Sequence, residues 1–380
     1  MVIVIKNLSV CMITCWYHNI SMANYGKNLI NALTRRDVSV KVVTSHCVCK
    51  DKYRGCSSIF DGKYCLVTTP FDLFCDVRRL KVQTYLYRTS RIPLGLLYAK
   101  QCSDSDLLHY QQSANWSFGE LPLLTLLTQT KVPHKVVTIH NLYNSYPLRL
   151  LPRVYHYADA IIVHSEQQKD RMLQVGIPED KMHVVFHGGH QVNLMGLVRT
   201  RVTFFGSPDK LKGFFDLLKA LRILRDEGTK INLEVYGIYA EEAEQTAKQE
   251  ARRNNVEDQI QWYGSLSESE FDEKMQESIF TFAIYPEPVS GSSIITRAMM
   301  NGTPVIATPL GGSPEYLGDT GTYVPPSDPS ALASAIRSLL ENRRLREDLG
   351  KMARQRALQY LSWDAIAEQT IRIYQSVIDT

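Results

Sequence analysis

Short runs rich in β-branched and aromatic residues alternate along this chain with stretches that repeat apolar residues every three or four positions. The first series of runs is Leu8–Thr14, Val38–Val43, Leu107–Tyr110, Val136–Ile139, Ala160–Val163 and His183–Phe186. A second series is Val202–Phe205, Ile231–Tyr236, Ile260–Tyr263, Ile279–Ile284 and Val305–Thr308. Such alternation predicts parallel strands covered by helices, an α/β fold. Two sets of five or six strands fit two doubly wound domains better than one very wide sheet. The irregular stretch Gly188–Arg201 has no helical period and marks the predicted boundary. One domain is expected over 1–190, a linker over 191–199 and a second domain over 200–362. The last periodic segment, Trp363 to Ile378, sets Ile366, Ala367, Ile371, Tyr374 and Ile378 as one stripe on a helix.

Length and composition agree with that division. A chain of 380 residues suits about two domains, and a hydrophobic content of 44% excludes a disordered or fibrous chain. The net charge of +4 is uninformative, but its distribution is not. Residues 1–190 hold 22 Lys and Arg against 13 Asp and Glu, and residues 191–380 hold 21 against 26. The first half therefore suits an anion or an anionic surface. No apolar run approaches the roughly 18 residues of a membrane span. Met1 to Trp16 lacks the small-residue cleavage pattern of a signal peptide. All eight cysteines fall between Cys11 and Cys102. His46, Cys47, Cys49 and Cys56 are close enough to suggest zinc, but the paired Cys-x-x-Cys of a zinc ribbon is missing. The cysteines are read as reduced, no metal is expected, and a cytoplasmic protein is the default.

Three strand-to-helix junctions in the second half carry the chemistry. Val202 to Phe205 runs into Gly206-Ser207-Pro-Asp209-Lys210-Leu-Lys212-Gly213, and a helix follows with Phe214, Leu217, Leu218, Leu221 and Leu224 on one face. Free amides at a helix start beside a lysine make an anion site; the alternative is a plain turn with surface lysines. The second junction is Tyr285-Pro-Glu287-Pro-Val-Ser290-Gly291-Ser292-Ser293, where serines cap a helix or hold a phosphate. The third, Gly311-Gly312-Ser-Pro314-Glu315, pairs glycines that let a backbone approach a ligand closely. Carboxyl ends of parallel strands converge on one crevice, so the three together say more than each alone.

In the first half, His109 and His140 each end a predicted strand, and His187 lies at the exit of the last one. No Ser–His–Asp set, paired carboxylates, Walker loop, dinucleotide-binding Gly-x-Gly-x-x-Gly or zincin helix is present. That excludes the common nucleotide hydrolases and dehydrogenases. Residues 77–103 hold Arg78, Arg79, Lys81, Arg88, Arg91 and Lys100 with no acid, interleaved with Leu80, Tyr85, Leu86 and Tyr87. Either this is a solvated basic edge, or 78–100 makes peripheral contact with anionic lipid on the cytoplasmic membrane face. Nucleic acid fits poorly, since no recognised module is present.

These residues, in this order, resemble the retaining, GT-B-fold, nucleotide-sugar-dependent glycosyltransferases of family four over nearly the whole chain. The motifs that carry the likeness are Val184-Val-Phe-His187-Gly188, Gly206 to Leu218, and Ala298-Met-Met-Asn-Gly302-Thr-Pro304-Val-Ile-Ala307. Gly311 to Glu315, Tyr323 to Pro329 and Ser362-Trp363-Asp364 also match. The resemblance implies two Rossmann-like domains facing each other across a cleft. The first is the acceptor side and the second the donor side, with a C-terminal helix over about 363–380 packing back on the first. It implies that Lys212 contacts the donor diphosphate, with Gly206, Ser207, Lys210, Arg297 and Glu315 also on the donor side. The amides around Ser290, Gly291, Ser292 and Ser293 would hold the same phosphates. Glu287 would match the first Glu of the family's pair, and His140 the first-domain histidine that reaches the sugar. Gly26 and His109 fall on the acceptor side. The chain departs from the family in having Arg297 where the second Glu stands, Ser207 or Asp209 in the place of a loop arginine for which Lys210 would substitute, and Asn19-Ile20 in place of a Gly-Gly.

The function so implied is transfer of a hexosyl group from a nucleotide-diphosphate sugar to a glycan, lipid-linked or small-molecule acceptor, with retention. The diphosphate leaves, Lys212 and helix amides stabilise it, and no cofactor or metal is required. Closure about Gly188–Arg201 would keep water out. Two alternatives keep the fold: a glycan- or partner-binding protein without turnover, and a sugar-nucleotide epimerase.

Overall fold

The computed structural model describes residues 8–14, 21–45, 65–69, 92–112, 120–140, 154–237 and 241–380. The chain divides into two compact units. The first holds Met1–Phe186 together with Trp363–Thr380, and the second holds His187–Ser362.

The first unit is built on a parallel sheet of seven strands in the order β3-β2-β1-β4-β5-β6-β7. These are β1 (Ser9–Ile13), β2 (Ser39–Ser45), β3 (Cys65–Thr69), β4 (Leu107–Gln112), β5 (His134–Ile139), β6 (Ala160–Val163) and β7 (Met182–Val184). Side chains alternate across a strand with period two, so each strand feeds two cores. Cys11, Ile13, Leu108, Tyr110, Val137 and Ile161 face α2 (Ile92–Gln101) and α3 (Glu120–Gln129). Val10, Met12, Leu107, Val136, Ala160 and Ile162 face α1 (Ser21–Thr34) and the C-terminal helix. A further helix among the described residues, α4 (Glu166–Gln174), starts at Ser165, whose hydroxyl accepts from the Gln168 amide.

The second unit has six parallel strands in the order β10-β9-β8-β11-β12-β13. They are β8 (Arg201–Phe205), β9 (Leu233–Tyr236), β10 (Ile260–Gly264), β11 (Ser278–Ala283), β12 (Val305–Ala307) and β13 (Thr322–Tyr323). The helices are α5 (Phe214–Asp226), α6 (Glu241–Arg253), α7 (Glu268–Glu277), α8 (Ser293–Met300), α9 (Ser313–Leu317), α10 (Pro329–Glu341) and α11 (Arg343–Tyr360). A Ser267/Glu270 capping box starts α7, and Asp328 followed by Pro329 starts α10. The strand order reverses between β8 and β11, and a doubly wound sheet offers its crevice at that point.

The last helix, α12 (Trp363–Ile378), belongs to the first unit. Trp363, Ile366, Ala367, Ile371 and Tyr374 are buried there against Tyr25, Leu29 and Leu33 of α1. Residues 191–199, expected as a linker, are grouped with the second unit, where Arg199 is fixed by carbonyls of Met275, Ser278, Asn301 and Gly302 and by the Thr303 hydroxyl. Two strands were not anticipated. β13 has only two residues, and β3 is short and bounded by segments without a clear pattern.

One expectation about cysteines is corrected. Cys11 on β1 and Cys102 just after α2 form a disulfide, 91 residues apart in sequence and 5.4 Å apart at Cα. Strand order brings the two together, which no local spacing reveals. The other cysteines are Cys65, which lies on β3, and Cys15, Cys47, Cys49, Cys56 and Cys75, which lie outside the described residues. No described helix is long and apolar enough to cross a membrane.

Candidate functional site

The second unit assembles its junctions where the strand order reverses. Gly206 follows the end of β8, and a 3-10 turn over Lys210–Lys212 precedes α5. Gly213 follows in the left-handed region at φ 72°, and a Cβ there would collide with the Ile284 carbonyl. Only glycine lets the start of α5 press on the end of β11 in this way. The approach sets the Lys212 ammonium 4.9 Å from the ring centroid of Tyr285. The Tyr285 hydroxyl is 2.8 Å from the Ser292 hydroxyl, and the Tyr285 carbonyl accepts from Thr308.

Ser292 is the N-cap of α8, its side chain accepting from the Ile295 amide. The first two helical amides, Ser293 and Ile294, have no acceptor among the described residues. A helix start with free N–H groups carries partial positive charge, and a lysine from the neighbouring junction adds a full one. The third junction closes on the same loop. Gly311, at φ 62°, packs directly on the Val289 backbone, and the Gly312 amide donates to the Val289 carbonyl at 2.9 Å. Ser290, Gly291 and Ser293 are half-buried on that loop, and Glu287 is exposed.

Several expectations need adjusting. The amides before α5 are not free. Lys212 N–H donates to the Asp209 carboxylate, Gly213 to the Lys210 carbonyl and Phe214 to the Asp209 carbonyl. An acidic cap therefore occupies that start, and the positive charge of this loop rests in the side chains of Lys212 and the exposed Lys210. Arg297 is directed away to α7. Its guanidinium lies 3.6 Å from the ring centroid of Phe271 and pairs with Glu268 and Asp272, both at 3.1 Å. The Glu315 carbonyl accepts from Arg356, which ties α9 to α11.

In the first unit, alternation along three adjacent strands puts polar residues on the face of α12 once the apolar positions end. After Leu107 come His109 and Gln111 on β4, after Val136 come Thr138 and His140, and after Ile162 comes His164. His140 is nearly buried, with Nε2 2.7 Å from Gln111 Oε1 and Nδ1 3.0 Å from His164 Nε2. His109, expected on the acceptor side, is instead fully enclosed. Its nitrogens meet the Tyr374 hydroxyl at 2.5 Å and the Thr138 hydroxyl at 2.7 Å, and burial pushes its imidazole down to about 3. It anchors α12 rather than meeting an acceptor. Gly26 is a packing requirement, since a Cβ would sit 2.5 Å from Thr14 Oγ1.

Gln111, His164, Tyr285 and Asp209 complete these clusters and were not among the expected site residues. A period-two reading of β4 to β6 would have exposed the first two. Asn19, Ile20, Asn141, Arg78, Arg79, Lys81, Arg88 and Arg91 lie outside the described residues, and Lys100 is exposed at the end of α2. Among the described residues, no group of three or more His, Cys, Asp or Glu is placed to hold a metal.

Two families match the chain, one on each unit. Residues 22–188 match "Glycosyltransferase Family 4" and residues 198–356 match "Glycosyl transferases group 1". The MMP alpha-(1->4)-mannosyltransferase of Mycolicibacterium hassiacum is 27% identical over 228 residues, 58% of this chain and 54% of that protein. The D-inositol 3-phosphate glycosyltransferase of Streptomyces avermitilis is 25% identical over 244 residues, 60% of this chain and 52% of its own length. The chain thus spans about half the length of these curated relatives. Among solved structures, sucrose-phosphate synthase from Thermosynechococcus elongatus superposes with a TM-score of 0.78 at 17% identity, covering 98% of this chain and all of that one. Anabaena HepE in complex with UDP gives 0.72 at 15%, covering 97% of this chain and 100% of that one. The fold is therefore GT-B, and the protein belongs to the group 1 glycosyltransferases.

Proposed function

We propose that this protein moves a hexosyl group from a nucleoside-diphosphate sugar to a glycan, lipid-linked or small-molecule acceptor, with retention of anomeric configuration. The observation that carries this reading is the cluster of Lys212, Tyr285 and Ser292 beside the open amides of Ser293 and Ile294. Charge builds on the diphosphate as the sugar leaves. An ammonium and a helix start fixed in advance favour that charge without having to reorganise. HepE, solved in complex with UDP, supports a nucleoside-diphosphate donor, and the mannosyltransferase relative supports transfer of a hexosyl group.

Retention follows if a leaving-phosphate oxygen takes the acceptor's proton on the face from which the phosphate departs. Such a step needs no protein nucleophile, in keeping with a loop whose carboxylate, Glu287, is exposed and makes no ion pair with a described residue. His140 serves the sugar by family likeness, and its ring is held within the first unit by Gln111 and His164. Lysine and helix dipole supply the positive field, so the reaction runs without cofactor or metal.

The test is thermal stabilisation by UDP-, GDP- and ADP-sugars, followed by product analysis with the best donor. A ligand held only by the folded state raises the melting temperature. The reading predicts that one nucleotide class does so and that its sugar appears on an acceptor in the α or β form it had in the donor. Absence of stabilisation by every donor would overturn it.

A further inference from the structure

The polar face at the ends of β4, β5 and β6 carries more order than packing requires. His164 Nδ1 lies 2.8 Å from the Val185 carbonyl, which only accepts, so that nitrogen bears a hydrogen. His140 Nε2 lies 2.7 Å from Gln111 Oε1, another acceptor, so it bears one too. Between His140 Nδ1 and His164 Nε2, 3.0 Å apart, two bare lone pairs would repel, so one more hydrogen lies there. With the amide in this orientation, the two rings share three ring protons, one more than two neutral imidazoles hold, and the pair is a monocation.

A half-turn of the Gln111 amide gives the neutral alternative. Its NH2 then donates to His140 Nε2, and its oxygen faces His109 Nε2 across a contact of 3.1 Å. His109 donates there, while its Nδ1 accepts from Tyr374. Donors meet acceptors along the chain in both states. One buried proton, one amide orientation and one tautomer therefore change together.

We propose that His164 is a positioning residue for His140: the two rings form one unit that fixes the His140 imidazole and gains or loses a single proton jointly, with Gln111 turning to match. The proposal rests on the glycosyl-transfer reading only for its kinetic consequence. A monocation opposes the positive charge that develops on the departing sugar, so turnover rises with pH as the pair loses its proton. Among the described residues, the titratable neighbours keep their own charge state. Tyr25 from α1 has its ring 4.6 Å from His140 and 5.2 Å from His164, and burial drives its phenol well above the usual range. Tyr374 from α12 is driven up in the same way, and His109 from β4 is held neutral. From α4, the Gln168 amide oxygen accepts from the His164 backbone.

The experiment combines two readouts. Without donor, NMR of protein carrying 15N-histidine follows the ring nitrogens of His140 and His164 against pH. The expected result is joint titration by one proton, with the His140 nitrogens displaced in His164→Gln, whose amide keeps a partner near the Nε2 position but cannot titrate. Independent titration, or His140 nitrogens unmoved by the substitution, overturns the proposal. With the donor found by thermal stabilisation, His164→Leu should lower kcat at least about tenfold with donor KM within about twofold, since partners that orient metal-binding histidines are worth about 10–100-fold. His164→Gln should recover most of that kcat and lose the pair's step from the kcat–pH profile. Losses that merely track lowered melting temperature in both variants would mark His164 as structural and end the proposal. If the wild-type protein turns over no nucleotide sugar, the glycosyl-transfer reading fails, and the NMR result still decides the coupling.

Discussion

Acid should weaken the first unit through His109, by an amount the structure sets. Its imidazole is fully buried between Thr138 and the Tyr374 hydroxyl, and burial holds it near 3 against 6.5 in an unfolded chain. Above pH 6.5 neither state binds the proton, and the full stabilisation is present. As the pH falls from 6.5 towards 3, the unfolded chain takes up a proton that the folded one refuses, so stability falls through that window. At ~1.4 kcal/mol per unit, the loss is about 2 kcal/mol at pH 5 and approaches about 5 kcal/mol at the lower end. His109→Gln removes the titration. It also weakens the link to Tyr374, a loss of about 1 kcal/mol at pH 8. Urea unfolding of both proteins from pH 8 to pH 5 should give curves that cross near about pH 6, the variant starting about 1 kcal/mol lower at pH 8 and ending about 1 kcal/mol higher at pH 5. His187 in the second unit, pushed down to about 4 by burial, contributes equally to both and cancels in the difference. Parallel curves across that range would refute the neutral, enclosed His109.

Three further outcomes are expected. Lys212→Ala should lower turnover at least about tenfold, about 1.4 kcal/mol of barrier, with an unfolding temperature close to wild type; near-normal turnover would remove Lys212 from the mechanism. Gly213→Ala should lose more than about 2 kcal/mol in denaturant unfolding, because a side chain at φ 72° is strained and its Cβ meets the Ile284 carbonyl. Arg199→Met should lose on the order of 3 kcal/mol or more by the same measurement, since it strips donors from the carbonyls of Ser278, Asn301 and Gly302 and from the Thr303 hydroxyl.

Strand runs were legible because their side chains are buried on both faces. Val10 to Ile13 and Val202 to Phe205 read as nearly continuous apolar segments, as central parallel strands do. The helix of Trp363 to Ile378 was legible as a stripe, whereas its place on the first unit follows from contacts with Tyr25 and Leu29, more than 300 residues away. Lys212 and Ser292 stood out by type and position, but Tyr285 did not, because an aromatic after a strand usually signals core and only the packed Gly213 shows what its ring supports. The α5 start misled for a local reason: Asp209 has the spacing of an N-cap, and a cap consumes the amides that an anion would need. Cys11 and Cys102 meet only through strand order.

Arg297 separates a structural residue from a ligand residue. By position it fell among the expected donor contacts, yet its charge is met on α7 by Glu268 and Asp272, and its plane lies over Phe271. Phe271 in turn packs on Phe205, which stacks on Tyr236, and Tyr236 on Tyr263, so the guanidinium ends an aromatic row that crosses three strand ends. Glu268 is mostly exposed and its ion pair contributes little; Asp272 and the ring contact contribute more, and together they amount to roughly 1–3 kcal/mol. Arg297→Met should therefore lower unfolding free energy by about that much and change the donor's dissociation constant by less than about threefold. Arg297→Glu, which restores the family's residue type, should be worse still, because it sets a third carboxylate beside Glu268 and Asp272. A large loss of donor affinity in Arg297→Met with unchanged stability would show instead that the guanidinium leaves α7 to meet the ligand, and the row of rings would then be its resting place rather than its purpose.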